Sequence, residues 1–344
     1  MAEKKRKTAR KFLTSIDVAR KAGVSRTAVS YALNGEPNPH VSEETRAKIL
    51  QVAQELGYTT HSSARALRKG HSEEICFIVD LPFSVHRTEL FVSLHQHAFV
   101  NGCTLVVYFS NSLSPEQLQE LLLKIFARRP MGLIATARSM TPENVDLAQR
   151  MGVENVVLYS VKPLDYAQTI LLPTEPAGRL AAQHLLERGH RRLGLIRPTD
   201  PLNEYGFLQR LEGMRSVIAQ TPGVSLEILP LQYSLPSAHS FVDTYLTSTD
   251  HPTGLYAYND EYALLLLGAL IDRGIKIPQD VAVIGTDDIS FSEIVRPTLT
   301  TIRFDNTSFG QKAVDLILTL HKEQPLQEEL TWSLVPQLVP RQST

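Results

Sequence analysis

The chain of 344 residues is long enough for a small domain and a larger two-lobed one, and a composition of 43% apolar and 21% charged residues is ordinary for a globular protein. The net charge of −1 conceals an asymmetry: residues 1–70 hold 14 Lys and Arg against 6 Asp and Glu, and the remainder holds 21 against 30. No apolar run is long enough to span a membrane and the basic start lacks a signal peptide's apolar core, so a cytoplasmic location is expected.

The first predicted elements are three short helices that follow a basic arm at residues 1–13. Thr14 is a candidate N-cap with Asp17 in the capping-box position, Gly23 ends the first helix, and Ser25 caps the second. Because so tight a glycine-containing turn cannot lay two helices side by side, they must cross steeply, as in a helix-turn-helix. The alternative is a small three-helix module that binds protein.

The second helix is predicted from Arg26 to Leu33 and packs through Val29 and Ala32. Its early positions would meet base edges in a major groove, and a basic head on an acidic body is suited to binding a polyanion. The outward-facing residues of this helix are Arg26, Thr27, Ser30 and Tyr31.

The connector at residues 59–72 contains a short predicted helix, Ala64 to Arg68, whose only large apolar side chain is Leu67. A helix this short is unstable alone in water, so something external must order it. The alternative is a flexible linker with a stray leucine.

Beyond Gly70 apolar strands alternate with amphipathic helices in a long series, which predicts parallel sheets covered on both faces and divided between two lobes. The two cysteines, Cys76 and Cys103, fall in strand-like runs. They are expected to be buried reduced thiols, without a disulfide framework or a metal site.

The motifs DVARKAGVSRTAVSYALNG, VSEETRAKIL and SARALR resemble the DNA-binding head of the LacI/GalR family of bacterial transcription regulators. The resemblance continues through the body and implies an all-α helix-turn-helix head with an α/β, periplasmic-binding-protein-like body of two doubly wound parallel sheets joined by three crossover strands. The implied boundaries are 14–58 for the head, 59–72 for a hinge helix and linker, and 73–344 for effector binding and dimerisation. The lobes would comprise 73–173 with 305–328, and 174–304 with 329–344.

The resemblance also implies which residues touch DNA. In this family a hinge helix pairs with its twin and inserts a leucine into the minor groove, a position that Leu67 matches. Ala28 and Tyr31 depart from the more usual residues of the recognition helix, which leaves the operator sequence open. The implied DNA-binding residues are Thr14, Ser15, Arg26, Thr27, Ala28, Ser30, Tyr31, Asn34, His40, Arg65, Leu67 and Arg68.

An effector site is implied at the carboxyl ends of the strands, between the lobes. An arginine fork, an amide and a carboxylate there could hold hydroxyl or carboxylate oxygens, and an aromatic ring could stack on the ligand. Pro173 and Thr286 depart from the family pattern, which leaves the effector's identity open. The implied effector-binding residues are Phe83, Tyr159, Arg210, Tyr233, Asn259 and Asp287.

No dinucleotide fingerprint, P-loop or nucleophile elbow occurs, so neither an enzyme nor a cofactor is expected. The prediction is a dimeric repressor that binds a palindromic double-stranded operator under the control of a small ligand, a sugar or sugar derivative, without contact with a membrane. The closest alternative is a regulator governed by a corepressor or a protein partner. A periplasmic-type binding protein and a sugar-modifying enzyme are the other rivals.

Overall fold

The computed structural model describes residues 13–34, 41–58, 66, 69–80, 86–322 and 331–344. The chain divides into two compact units, a head at 1–72 and a body at 73–344. Within the described ranges no helix has both the length and the apolar character needed to cross a bilayer.

Three helices form the head: α1 (Ser15–Ala22), α2 (Arg26–Asn34) and α3 (Glu43–Leu56). The backbone N–H and the hydroxyl of Thr14 donate to the Asp17 carboxylate at 3.0 and 2.7 Å. Gly23 and Gly57 end α1 and α3 in the left-handed region, with φ of 72° and 65°, where glycine is unstrained. These predicted helix ends are confirmed.

A small apolar core holds the three helices together. Ile49 and Val29 are fully buried, and an exposed ion pair joins α1 to α3 through Lys21 Nζ and Glu55 Oε2 at 2.9 Å. The buried residues of this core are Val18, Ala19, Ala22, Val29, Ala32, Ile49, Val52 and Ala53.

The first sheet of the body has six strands in the order β11-β5-β4-β3-β1-β2, all of them parallel. Its strands are β1 (Glu74–Val79), β2 (Thr104–Phe109), β3 (Gly132–Thr136), β4 (Val156–Ser160), β5 (Gln168–Leu171) and β11 (Thr331–Ser333). Its helices are α4 (His86–Val100), α5 (Pro115–Ala127), α6 (Pro142–Arg150) and α12 (Asn306–His321).

The second sheet has four parallel strands in the order β7-β6-β8-β9. The strands are β6 (Arg192–Pro198), β7 (Ser225–Leu231), β8 (Gly254–Tyr256) and β9 (Ala282–Ile284). The accompanying helices are α7 (Glu175–Glu187), α8 (Glu204–Ile218), α9 (Leu235–Tyr245), α10 (Asp260–Ile271) and the single turn α11 (Phe291–Ile294). Two parallel sheets with interleaved helices confirm the predicted fold class.

An antiparallel pair, β10 (Thr301–Arg303) with β12 (Gln337–Val339), completes the body. The predicted lobe boundary at residue 329 needs a correction, because Thr331–Ser333 pairs with β5 inside the first sheet. The chain therefore crosses to the second lobe only after Ser333. Cys76 and Cys103 are free and buried, as predicted, and burial raises the pKa of the Cys76 thiol to about 12.

Candidate nucleic-acid interface and effector site

The outward face of α2 is polar and begins at the first residue of the helix. Arg26, Thr27 and Ser30 are exposed, while Val29 and Ala32 point into the core of the head. Because side chains three and four residues apart share one face of a helix, burial of Val29 directs its neighbours outward. Arg26 Nε donates to Ser15 Oγ at 3.2 Å, which joins the start of α1 to the same surface.

The other predicted DNA-binding residues divide into two groups. Thr14 and Ser15 lie at the start of α1, Ala28 and Tyr31 are half-buried on α2, and Asn34 is the last residue of α2. Outside the described residues lie His40, Arg65, Leu67 and Arg68, together with the predicted effector residue Phe83.

Arg210 is held inside the second lobe by α8. Only 5% of the residue is exposed, its Nη1 donates to the Gly206 carbonyl at 3.0 Å, and its Cζ lies 4.4 Å from the centroid of the Tyr258 ring. Its Nε is buried without a hydrogen-bond partner in the described part of the chain. Burial works against the charge, yet Tyr256, Tyr258 and Asp287 raise the pKa of Arg210, so the guanidinium stays ionised.

Very close packing between α7 and α8 fixes the position of Arg210. A Cβ atom added to Gly178 of α7 would lie 2.0 Å from the Arg210 carbonyl oxygen, and one added to Gly213 of α8 would lie 2.0 Å from the Glu175 carbonyl oxygen. Each helix therefore supplies a glycine where the other helix's backbone approaches. Without both glycines the helices could not reach this separation.

Asp287 and Asp288 occupy a strained turn beyond the end of β9. Their φ angles are 106° and 51°, a region that non-glycine residues rarely adopt and that is often found at functional sites. Burial raises the pKa of Asp287 from 3.8 to about 7, although Arg210 and Arg87 oppose the shift.

The same turn is bonded to β10 and to Arg341, which follows β12. Asp287 N donates to the Ile302 carbonyl at 2.8 Å, and the Asp288 carboxylate accepts from Arg303 Nε at 2.6 Å and pairs with Arg341 Nη1 at 2.7 Å. A cavity of about 530 Å³ adjoins the turn, and its lining includes Glu89 of α4, Arg303 of β10, Asn306 of α12 and Gln337 of β12.

Asn259 and its neighbour Asp260 begin α10. Asn259 Oδ1 accepts from Tyr262 N at 3.1 Å and its Nδ2 donates to Glu261 at 3.1 Å, so helix capping accounts for this side chain. The fully buried Asp260 carboxylate accepts from Ile289 N at 3.0 Å, Ser292 Oγ at 2.6 Å and Thr301 Oγ1 at 2.5 Å. Burial raises the pKa of Asp260 to about 7 despite these donors. Asp260 therefore links α10 to the Asp287 turn and to β10.

The two predicted tyrosines differ in environment. Tyr233, beyond β7, is 57% exposed and its ring centroid lies 5.1 Å from that of Tyr262. Tyr159 is only 8% exposed and packs edge-on against Phe77 and Phe309, with centroid distances of 5.9 Å to each. Core packing accounts for most of the Tyr159 ring, and its place on the cleft wall stays a prediction.

Comparison with known proteins agrees with this architecture. Residues 15–61 match the model for bacterial regulatory proteins of the lacI family, and residues 182–344 match a periplasmic binding protein-like domain. The PurR transcriptional repressor of Haemophilus influenzae is 29% identical over 95% of this chain and 97% of its own. These matches support a regulator of the LacI family.

Solved structures of LacI family regulators superpose on most of the chain. The Lac repressor dimer bound to operator and an anti-inducer is 25% identical, with a TM-score of 0.79 over 97% of this chain and 99% of its own. A LacI family regulator from Enterococcus faecium with bound ribose is 25% identical, with a TM-score of 0.67 over 79% of this chain and 98% of its own.

Three side chains beside the predicted effector residues were not singled out by the sequence reasoning. Asp80 directly follows β1 and is 4% exposed, Arg87 lies in the first turn of α4, and the Tyr258 ring stacks on Arg210. Strand-end position could have indicated Asp80, and Tyr258 precedes Asn259 in a segment already noted. Arg87 gave no such signal, because nothing in the sequence distinguishes it from a surface arginine at a helix start.

Proposed function

We propose that this chain is a DNA-binding transcription repressor whose operator affinity is controlled by a small ligand held between the lobes of the body. One observation carries the proposal: a basic head that exposes the polar face of α2 is joined to a body that buries Arg210 on α8 and holds Asp287, partly buried, in the turn beyond β9. The relatives support it, since their names describe a repressor, an operator complex and ligand complexes.

For the DNA, two heads of a homodimer would bind an approximate palindrome, with Arg26, Thr27 and Tyr31 reading base edges in the major groove. Leu67 would enter the minor groove at the centre, flanked by phosphate contacts from Arg65 and Arg68. The head is assigned to 14–58, the hinge to 59–72 and the body to 73–344.

For the ligand, Arg210 and Asp287 would supply a donor fork and an acceptor for a sugar or sugar derivative. The ligand can shift operator affinity only through different affinities for two conformations of the protein. The protein would act in the cytoplasm, without a cofactor and without catalysing a reaction.

The deciding experiment is selection of bound duplexes from a random DNA library by the full-length protein at physiological salt. We expect an enriched palindromic site, bound at least about 1000-fold more tightly than random DNA. Enrichment of no sequence would contradict the proposal. In a second step, metabolites are screened for a change in affinity for the selected site.

The ligand half of the proposal is tested by Arg210→Ala, with the exposed Arg215→Ala on the same helix as the matched control. Arg210→Ala should abolish the ligand response and leave operator affinity without ligand intact, whereas Arg215→Ala should respond like the wild type. A full response in Arg210→Ala would remove this arginine from the site.

A further inference from the structure

The carboxylate of Asp288 joins the turn beyond β9 to the antiparallel pair of β10 and β12. Its Oδ2 accepts from Arg303 Nε at 2.6 Å, and its Oδ1 lies 2.7 Å from Arg341 Nη1. Arg303 is the last residue of β10, and Arg341 follows β12. One side chain, only 5% exposed, is therefore held by two arginines that belong to two different strands of the pair.

β10 and β12 carry the chain between the two lobes. β10 leads from α11 in the second lobe to α12 in the first, and β12 leads back from β11 of the first sheet. The residues after β12 return to the second lobe, where Ser343 Oγ donates to the Val283 carbonyl of β9 at 2.6 Å. A change in how Asp288 is bonded to these two strands would therefore change how the lobes are joined.

Arg341 is itself anchored to the second lobe. Its Nη1 donates to the Leu299 carbonyl at 2.9 Å, and its Nη2 donates to Glu293 Oε1 of α11 at 3.0 Å. Its backbone N–H donates to Thr300 Oγ1 at 2.9 Å. Because only 11% of the Arg341 side chain is exposed, water and salt screen its pairing with Asp288 less than they screen a surface ion pair.

The contact between Asp288 and Arg341 leaves one acceptor incompletely bonded. Oδ1 and Nη1 are 2.7 Å apart, yet Oδ1 is buried and receives no aligned hydrogen bond in the described part of the chain. Because a buried charged acceptor gains free energy from an aligned donor, a rotation that aligned this pair would be favourable. The cavity of about 530 Å³ provides room for such a rotation, since Asp288 and Arg303 both line it. The turn therefore has a second, more fully bonded arrangement open to it.

Asp287 and Asp288 are consecutive residues of one strained turn, so neither can move alone. Their φ angles of 106° and 51° persist only where the surrounding structure holds them. The Asp287 N–H donates to the Ile302 carbonyl at 2.8 Å, and the Asp288 N–H donates to Thr301 Oγ1 at 3.3 Å, both on β10. The bonds that fix Asp288 on β10 therefore also set the position of the Asp287 carboxylate.

We propose that Asp288, Arg303 and Arg341 form a positioning clamp, which transmits the presence of a ligand at Asp287 to the strands that join the lobes. This inference rests on the proposed ligand control of the body and adds its means of transmission. The clamp does not contact the ligand, because it holds the residue next to the predicted contact. A ligand that favours one arrangement of the turn would also favour one position of β10 and β12.

The test uses the full-length protein, its selected operator duplex and, as the probe, a bacterial metabolite extract freed of macromolecules. Thermal shift without DNA gives the dilution of the extract at which the protein is half-saturated. Fluorescence anisotropy gives operator affinity without extract and at saturation, and the ratio of the two affinities is the coupling factor. The two quantities distinguish a residue that binds the ligand from one that transmits its effect.

The clamp predicts loss of coupling with ligand binding retained. Asp288→Asn should keep the half-saturating dilution within about 3-fold of the wild type and bring the coupling factor, typically about 5- to 150-fold, to within about 2-fold of unity. Arg341→Gln should do the same, and the double variant should lose no more than either single variant, because both remove one contact. Arg341→Lys, which keeps the charge without the fork, should retain part of the coupling.

Two further variants guard against a trivial result. Half of the Arg303 side chain is exposed, so Arg303→Gln should fold normally and still reduce coupling. Arg192→Gln removes an exposed ion pair with Asp250 in the same lobe, is the matched control and should behave like the wild type. The melting temperature without extract establishes that each variant is folded.

Each outcome decides between the two proposals. Full coupling in folded Asp288→Asn and Arg303→Gln would overturn the clamp while ligand control stands. A shifted half-saturating dilution with full coupling would show that Asp288 only shapes the ligand site, which also overturns the clamp. No response to the extract by a wild-type protein that binds its operator would overturn ligand control itself, and the inference with it.

Discussion

The head and the effector site are built from the chain in opposite ways. In the head, consecutive helices carry their own caps and bury a small core, so residues that act together are near neighbours in sequence. In the proposed effector site, Asp80, Arg87, Arg210 and Asp287 come from four separated segments and both lobes. The head therefore depends on a few apolar contacts, whereas the site depends on buried charges whose partners are distant in sequence.

The difference between head and body is tested most strongly by a core mutation in the head. Ile49→Ala should cost about 2–5 kcal/mol, because a fully buried side chain leaves a cavity in a core with few other contacts. Hydrogen exchange of the full-length protein should show that amide protection is lost in α1–α3 and kept in the body. Leu50→Ala, 46% exposed in the native protein, is the matched control. Equal loss of protection in the body would show that head and body unfold together.

The second test addresses Asp260. Asp260→Ala removes the acceptor of three buried donors and should lower the unfolding free energy of the body by about 3 kcal/mol, measured by urea denaturation. Asp272→Ala, at the exposed end of the same helix, should change it little. A small effect of Asp260→Ala would mean that this carboxylate does not hold the Asp287 turn.

The third test uses pH. Between the ordinary value of 3.8 and about 7, folded Asp287 keeps a proton that the unfolded chain has lost, so the unfolding free energy falls as pH rises and levels off above about 7. Asp287→Asn should make the profile flatter and raise stability at pH 8 by about 2 kcal/mol, half the full value because some exposure remains. Titration of Asp260 should account for the pH dependence of stability that remains in Asp287→Asn. The exposed control Asp146→Asn should leave the profile unchanged.

The fourth test asks whether α2 reads bases. Arg26→Ala should weaken binding to the selected operator by about 1–3 kcal/mol and relax selectivity at one base position, as followed by fluorescence anisotropy on single-base variants. Lys48→Ala, an exposed lysine of α3, should weaken binding to all duplexes alike or not at all. An equal loss of affinity for all duplexes with Arg26→Ala would show that Arg26 contacts the phosphate backbone and not the bases.

The smallest effect is expected at the pair of Lys21 and Glu55. Both side chains are about half exposed, and exposed ion pairs contribute little because water and salt screen them. Lys21→Ala should leave hydrogen exchange in the head within experimental error. A clear loss of protection would show that polar surface contacts, and not only the apolar core, stabilise the head.

Sequence periodicity predicted parallel sheets divided between two lobes, and caps predicted most helix ends in the head, while the three crossover strands followed from the resemblance. Capping groups at Thr14 and Ser42 and the glycines at 23 and 57 act within one turn of the helix they bound. The site was only partly predictable. Arg210 and Asp287 followed from resemblance, but the roles of Arg87, Asp80 and Asp260 depend on which distant segments meet, and no local pattern encodes that. Asn259 shows the converse, because its capping role is local, while its predicted contact with a ligand stays a prediction.

The glycine contacts between α7 and α8 bear on how such a sensor could acquire a new ligand. Gly178 and Gly213 set the separation of two backbones, so even one added methyl group would displace the segment that carries Arg210. Side chains at the strand ends can vary without moving this scaffold. Laboratory evolution of altered effector preference should therefore accumulate changes around Arg87 and Tyr233 and leave both glycines untouched.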